Sequence, residues 1–183
     1  MIDSTETRLI QNAKRGDTRA IATLYDLHYP AIYNYIYFRV DDQPTAEDLS
    51  AEVFIRMIKK ITAYNDRGRP LLAWLYTIAR NLVTDHHRSS GKKEELSHKD
   101  QLLADRGSDP AQQVQDLQTQ DCFRKALTHL KESQRLILIY RFIEEYSTPK
   151  IMELLSKSDR AVRSLQHRAL RSLEKALVEE NCL

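Results

Sequence analysis

Residues 147–169 read STPKIMELLSKSDRAVRSLQHRA, and this stretch decides the fold of the module that contains it. The pattern predicts a short helix over residues 148–155, a tight turn, and a longer helix over residues 158–178. Two helices joined in this way form a helix-turn-helix, whose second helix lies in a DNA major groove. The stretch therefore predicts a helical module that reads double-stranded DNA.

The second of these helices is predicted to have one apolar and one basic side. Between Lys157 and Lys175 there are six Lys or Arg residues against Asp159 and Glu174, and Ser158 is placed to cap the helix. At about 100° per residue, the apolar side consists of Val162, Leu165, Ala169, Leu173 and Ala176. The candidate DNA contacts are Ser158, Arg160, Arg163, Ser164, His167, Arg168 and Arg171. A basic face on a core helix can also be merely solvated, so the pattern alone leaves that alternative open.

The bulk composition indicates a soluble, mostly helical chain. It has 183 residues, of which 42% are hydrophobic and 30% charged, with only 4 Gly and 5 Pro. The net charge of +2 is too small to identify a nucleic-acid binder, although the middle of the chain is acidic and its end is basic. No apolar run approaches the roughly 20 residues of a membrane span, and no signal peptide is visible. We therefore expect a cytoplasmic protein without membrane insertion.

The reactive residue types form no recognisable catalytic or metal-binding pattern. Cys122 and Cys182 are far apart in sequence, and we expect a small buried thiol and a frayed terminal residue. The six His include the adjacent pair His86 and His87, but none has metal-ligand spacing. A phosphate-binding glycine loop and a nucleophile–base signature are also missing from the sequence. The sequence thus predicts no catalytic residue, no metal and no cofactor, and the protein is not expected to be an enzyme.

The first half of the chain has its own helical pattern. We place helices at residues 6–15, 17–40, 45–61 and 71–88. Gly16 should stop the first helix, Asp17 should cap the second, Pro30 should kink or divide it, and Thr45 should cap the third. The tyrosines at positions 25, 29, 33, 35 and 37 are expected in the core and at its rim rather than in a base-stacking platform.

A linker separates the two halves. Residues 91–118 are polar and net acidic, contain Gly and Pro, and lack sustained periodicity. The predicted fold is all-α, with two small helical domains at residues 5–90 and 119–180 joined by an acidic flexible linker. The C-terminal domain contains the helix-turn-helix.

Three stretches resemble one known family. TAEDLSAEVF at residues 45–54, LAWLYTIARNL at residues 72–82 and SLQHRAL at residues 164–170 are similar to bacterial sigma factors of the extracytoplasmic-function group. The resemblance covers nearly the whole chain in the family's order. It implies a factor that directs core RNA polymerase to promoters and helps to melt them.

The resemblance also assigns roles to matching residues. The polymerase-binding set, which would dock on the β′ coiled coil, is Glu47, Asp48, Leu49, Glu52 and Arg56. The −10 set is Tyr64, Asn65, Arg67, Arg69, Thr77, Arg80, Asn81, Thr84 and Arg88. The helix from Ser158 would read the −35 element, and further contacts with the polymerase β flap and an anti-sigma factor are implied. Trp74 could help to shape a pocket for an unstacked base, but a plain core role suits it equally.

Two positions depart from the family pattern. Many relatives have Gln where Ala51 stands, so one polar contact with polymerase is missing. Many have Gly where Ser156 stands, so a left-handed backbone there would be slightly costly.

Two other functions are compatible with parts of the sequence. A self-sufficient helix-turn-helix repressor or activator should have a dimerisation face and no polymerase-docking helix. An adaptor that uses both modules only for protein contacts would leave the basic helix face unexplained.

Overall fold

The computed structural model describes residues 4–40, 42–65, 69–90 and 122–182, and these residues contain helices and turns but no strand. The helices are α1 (Ser4–Lys14), α2 (Thr18–Tyr37), α3 (Gln43–Lys60), α4 (Leu71–Ser90), α5 (122–128), α6 (Glu132–Leu138), α7 (Thr148–Leu155) and α8 (Asp159–Glu179). A 3₁₀ turn at Ile61–Ala63 follows α3, and a π-helical turn at Ile139–Ile143 continues α6. The predicted all-α fold is confirmed, while the predicted linker at residues 91–118 lies outside the described residues.

The chain divides into two compact units, one built largely from α1–α4 and the other largely from α5–α8. In the first unit, α2 packs against α1, α3 and α4. Its core contains fully buried side chains from three helices, such as Leu24, Met57 and Leu75. In the second unit α6 packs against α8, and Leu127, Ile137 and Val162 are buried. Each unit thus has its own apolar core, which holds its surface helices in place.

The start of α2 follows the predicted helix signals. Gly16 has a φ of +86°, which ends the preceding helix where only glycine adopts the backbone without strain. The Asp17 carboxylate accepts hydrogen bonds from the amides of Arg19 at 2.9 Å and Ala20 at 3.3 Å. The predicted cap is therefore confirmed.

In the first unit, the structure excludes one of the two expectations for Pro30 and corrects the predicted cap of α3. Pro30 does not divide α2, which runs unbroken from Thr18 to Tyr37, because buried residues on both sides of Pro30 keep the helix against the core. Thr45 is not the cap of α3. Asp42 caps it and accepts from the Thr45 amide at 2.8 Å, because Pro44 fits the first helical turn, where no N–H partner is needed.

Candidate nucleic-acid and polymerase interface

The turn between α7 and α8 depends on the backbone conformation of Ser156. Ser156 has a φ of +52°, so the left-handed backbone expected there is present. Its amide donates to the Glu153 carbonyl at 3.3 Å, and the Lys157 amide donates to the Met152 carbonyl at 3.1 Å. These two bonds form a Schellman motif, which ends α7 and turns the chain towards α8.

The recognition helix α8 has the predicted two sides. The Ser158 hydroxyl accepts from the Ala161 amide at 3.4 Å and caps the helix. Val162, Leu165 and Ala169 are buried, as is Ala176, whereas Leu173 is half-buried. The candidate DNA contacts are all exposed: Ser158, Arg160, Arg163, Ser164, His167, Arg168 and Arg171. The packing therefore holds the polar stripe of α8 towards solvent.

Two arginines of this stripe already have local partners. The Arg163 Nε donates to the Asp159 carboxylate at 2.8 Å, and this hydrogen bond together with the carboxylate's charge raises the pKa of Arg163. The pair is exposed, so breaking it to contact DNA costs little. The Arg168 Nε donates to the Ser164 carbonyl at 3.3 Å. Sequence reasoning missed the pair, although the i,i+4 spacing of Asp159 and Arg163 is a signal for it.

A concave pocket opens beside the start of α8. Its volume is about 470 Å³, and it is lined by Ser133, Lys157, Ser158, Arg160, Ala161, Ser164, Leu165 and Arg168. Three cationic side chains and the capped end of a helix favour an anionic group such as a DNA phosphate. Ser133 was not predicted as a site residue, because the contact between α6 and α8 cannot be read from the local pattern. Lys157 was not predicted either, although it directly precedes the capping residue Ser158.

The side chain of Gln134 fastens α6 to the recognition helix. Its amide nitrogen donates to the Ser172 hydroxyl at 2.8 Å and to the Arg168 carbonyl at 3.3 Å. Since Arg168 belongs to the polar stripe of α8, these hydrogen bonds fix the position of the stripe relative to α6.

A second polar face lies on α4 in the N-terminal unit. The side chains of Leu75, Ala79 and Leu82 are buried, which orients the helix. The exposed face carries Thr77, Arg80, Asn81, Thr84 and Arg88. The Thr77 and Thr84 hydroxyls donate to carbonyls one turn back, at 3.1 and 2.8 Å. The longer side chains of Arg80, Asn81 and Arg88 are therefore the ones that can reach a ligand.

The predicted site residues of the loop before α4 differ in their exposure to solvent. Asn65 and Arg69 are exposed, whereas Tyr64 is only 7% exposed. The Tyr64 hydroxyl donates to the Arg69 carbonyl at 2.9 Å, and its ring centroid lies 5.0 Å from that of Trp74. Lys14 also donates to the Tyr64 carbonyl at 2.6 Å. Tyr64 thus braces the loop, and Arg67 lies outside the described residues.

The outer face of α3 carries the candidate polymerase contacts. Glu47 and Asp48 are exposed, while Leu49, Glu52 and Arg56 are half-buried. Glu52 and Arg56 form an ion pair at 2.8 Å, and Gln43 donates to Glu47 at 2.8 Å. Ala51 is exposed on this face. Ile58 is 47% exposed, whereas Val53, Phe54 and Met57 are buried in the core.

A row of stacked tyrosines lies along α2 beside α3. The ring centroids of Tyr25, Tyr29, Tyr33 and Tyr37 follow one another at 5.0, 5.9 and 5.7 Å. Burial, followed by the charges of neighbouring tyrosines and Glu47, raises the pKa values of Tyr29 and Tyr33. These four tyrosines lie at the rim of the core, and Tyr35 is buried within it, as predicted.

The two cysteines contradict the sequence-based expectation. Cys122 and Cys182 form a disulfide with a Cα–Cα distance of 6.0 Å. They are therefore neither a separate buried thiol nor a frayed terminal residue. Their separation of 60 residues hid the pairing, because the packing of α5 near the end of α8 is a tertiary feature.

Two structural features are missing from the part of the chain that the structure describes. Within it, no group of three or more His, Cys, Asp or Glu side chains is arranged to hold a metal ion. Of its helices, none is both long enough and apolar enough to cross a membrane.

Comparison with known proteins assigns both units to one family. Residues 24–93 match the family model for Sigma-70 region 2, and residues 120–173 match the model for Sigma-70 region 4. The ECF RNA polymerase sigma factor BldN of Streptomyces coelicolor is 34% identical over 173 residues, which are 94% of this chain and 66% of BldN. The ECF RNA polymerase sigma factor SigD of Mycobacterium tuberculosis is 30% identical over 177 residues, which are 93% of this chain and 82% of SigD.

A solved structure shares the fold. It contains the sigma factor RpoE in complex with the anti-sigma factor NepR from Bartonella quintana. The match has a TM-score of 0.58 at 22% identity and covers 85% of this chain and 95% of the other.

Proposed function

Because this chain belongs to the family of ECF RNA polymerase sigma factors, we propose that it binds core RNA polymerase, recognises −10 and −35 promoter elements and promotes transcription initiation. The observation that carries this function is the presence of two exposed polar faces, on α4 and α8, in units that match sigma regions 2 and 4. A self-sufficient repressor or activator would not require the region 2 unit and is not favoured. The protein acts as a transcription initiation factor.

The proposed domains are residues 5–90 for polymerase binding and −10 recognition, residues 91–118 as a linker, and residues 119–180 for −35 recognition. We further propose that the protein works in the cytoplasm, without a catalytic residue of its own. The two compact units and the two family matches support this division.

The −35 reader is the exposed stripe of α8. Arg160 and Arg163 stand in its first turns, where recognition helices meet base edges. Arg168 lines the concave pocket beside the start of α8 and is suited to a phosphate, as is Arg171 further along the stripe. Base edges then specify the sequence, while phosphate contacts set the register of the helix on the duplex.

The −10 reader combines α4 with the preceding loop. Arg80, Asn81 and Arg88 present charge and hydrogen-bonding groups on one face, with Asn65 and Arg69 in the adjoining loop. Single-stranded promoter bases require such a polar, basic surface. The contact between Tyr64 and Trp74 holds the start of this loop against α4.

The acidic face of α3 is the proposed polymerase dock. Glu47, Asp48 and Glu52 give it negative charge, and the aromatic row on α2 borders it at Glu47. Carboxylates and aromatic rings both attract cationic side chains. We therefore propose that α3 meets a basic segment of the β′ coiled coil, and that the C-terminal domain approaches the β flap.

An anti-sigma factor is also proposed as a partner. The fold relative RpoE was solved in complex with the anti-sigma factor NepR. For this chain, the proposal is that a comparable protein blocks polymerase binding.

The polymerase dock can be tested by charge reversal. The double variant Asp48→Lys, Glu52→Lys should bind core polymerase on the order of tenfold more weakly, because like charges then face each other across the interface. The matched control reverses Asp26 and Asp85, two exposed acids of α2 and α4 that lie outside the proposed dock. Core binding would be measured by fluorescence anisotropy, with circular dichroism to verify folding. Normal binding by the folded double variant would contradict the assignment of α3.

The −10 surface can be tested separately. Arg80→Ala, Asn81→Ala should impair promoter melting more than core binding, because both side chains lie on the exposed face of α4. Arg8→Ala is the control for loss of an exposed cation from the same unit. Permanganate footprinting of the −10 region reports the melted bases. An unchanged footprint in the double variant would show that this face is only solvated.

A further inference from the structure

The Cys122–Cys182 disulfide has no part in the proposed contacts with DNA or polymerase. It joins the start of α5 to Cys182, which lies just beyond the turn that ends α8. Both cysteines are half-buried rather than sealed in the core, so a small thiol reagent can approach them.

The end of α8 is shaped so that Cys182 has a defined position. Asn181 has a φ of +54°, and its amide donates to the Val178 carbonyl at 3.1 Å. The Cys182 amide donates to the Leu177 carbonyl at 2.9 Å. These bonds form a Schellman motif, in which Asn is one of the residues that tolerate the left-handed position. The chain therefore turns back at the end of α8 and brings Cys182 to Cys122.

A side-chain contact between two described residues also links the same two parts of the unit. His129 Nε2 and Glu180 Oε1 are 2.7 Å apart, but the pair is largely exposed. Exposed ion pairs contribute little to stability, so the covalent bond is the stronger constraint. The constraint matters because α5 places Ala126 and Leu127, both fully buried, in the core of the C-terminal unit.

We propose that Cys122 and Cys182 are a reversible oxidation site that sets the stability of the −35-reading unit. A low-molecular-weight disulfide oxidises them by exchange. One cysteine thiolate attacks the reagent and releases one thiolate. The second cysteine thiolate then attacks the mixed disulfide and releases the other. The two protein thiols are oxidised, the reagent is reduced to two thiols, and the two protons pass to the released thiolates.

The regulatory meaning rests on the proposed function, because disulfides of proteins that work inside cells are usually transient or redox-sensing. The bond acts at the far end of α8, since a helix of 21 residues is about 32 Å long and its DNA-reading end is the opposite one. Oxidation therefore changes the fraction of folded C-terminal unit and leaves the base contacts of the folded unit unaltered.

Hydrogen exchange of the full-length protein tests the site without polymerase. The protein is equilibrated with either reduced or oxidised glutathione and heated in steps, and exchange is read peptide by peptide. The thermal unfolding midpoint read from peptides of residues 122–182 should fall by roughly 10 °C or more on reduction, because cross-linking a long loop constrains the unfolded chain. Peptides from residues 4–90 should keep their midpoint.

The double variant Cys122→Ser, Cys182→Ser is the control. Its thermal unfolding midpoint should be the same in both buffers and equal to that of the reduced wild type. If that variant fails to fold, a cycle of reduction and reoxidation of the wild type gives the same comparison. Thiols that are still alkylated after equilibration with oxidised glutathione would overturn the proposal. Equal midpoints for the oxidised and reduced wild type would overturn it as well.

Transcription separates this inference from the proposed function. Between the two midpoints, promoter-directed transcription should be retained by the oxidised protein and lost by the reduced protein. If neither form supports transcription at a temperature at which both are folded, the proposed function is wrong, whatever the exchange experiment shows.

Discussion

Replacing Arg160 with alanine should change which −35 sequences are preferred while leaving the fold intact. Arg160 is exposed in the first turn of α8 and lines the pocket at the start of that helix. Unlike Arg163, it has no carboxylate partner among the residues that the structure describes. Alanine favours the helical backbone, so the free energy of unfolding should change by less than about 0.5 kcal/mol.

The size of the effect follows from the kind of contact. An arginine that donates two hydrogen bonds to one guanine contributes about 1–3 kcal/mol of discrimination, which corresponds to about 5- to 150-fold in affinity. This loss should be confined to one base pair of the −35 element. Arg168→Ala should instead weaken all sequences alike and reduce the slope of log affinity against log salt by about 0.9, because it removes a phosphate contact.

The assay is competition binding of reconstituted holoenzyme to promoters that carry every single substitution of the −35 element. Lys175→Ala is the matched control, since Lys175 is an exposed cation further along α8 and outside the proposed site. An Arg160→Ala holoenzyme whose ranking of −35 sequences equals that of the wild type would refute the assignment of this residue as a base reader.

Three stability predictions can be measured by urea unfolding of the full-length protein, with hydrogen exchange to identify the unit affected. Ser156→Gly should stabilise the C-terminal unit by roughly 0.5–1 kcal/mol, because the φ of +52° is strained for serine, and Ser156→Ala should give no gain. Leu165→Asp should destabilise that unit by about 3 kcal/mol, because it removes a buried apolar side chain and puts a carboxylate in its place, and exchange that is unchanged in α8 would contradict the proposed packing. Asp17→Ala should cost the N-terminal unit about 0.5–2 kcal/mol by removing the cap of α2, whereas Asp17→Asn should cost less.

The sequence predicted the features that depend on residues close together in the chain. Apolar and basic residues recur in α8 at the helical period, and this pattern predicted which side of the helix is buried and which is exposed. Gly16 and Asp17 also act locally, so the boundary between α1 and α2 was predicted. Thr45 was misjudged because Asp42 offers a competing cap when Pro44 can enter the first turn.

Features that depend on tertiary packing were not predictable from the pattern. Ser133 reaches the pocket beside α8 only because α6 packs against that helix. Cys122 meets Cys182 only because the chain turns back at Asn181. Tyr64 was proposed as a base contact, yet the structure buries it against Trp74, and the distance along the chain gave no sign of this contact.

The proposed role of this chain is to give core RNA polymerase its promoter specificity. The most direct measurement is in vitro transcription of fragmented genomic DNA from the parent organism by purified core polymerase, with and without the protein, followed by sequencing of the RNA 5′ ends. We expect start sites that appear only with the protein, share one −10 and one −35 element, and disappear when either element is scrambled. Absence of such start sites, together with tight sequence-specific binding of DNA by the protein alone at physiological salt, would contradict it.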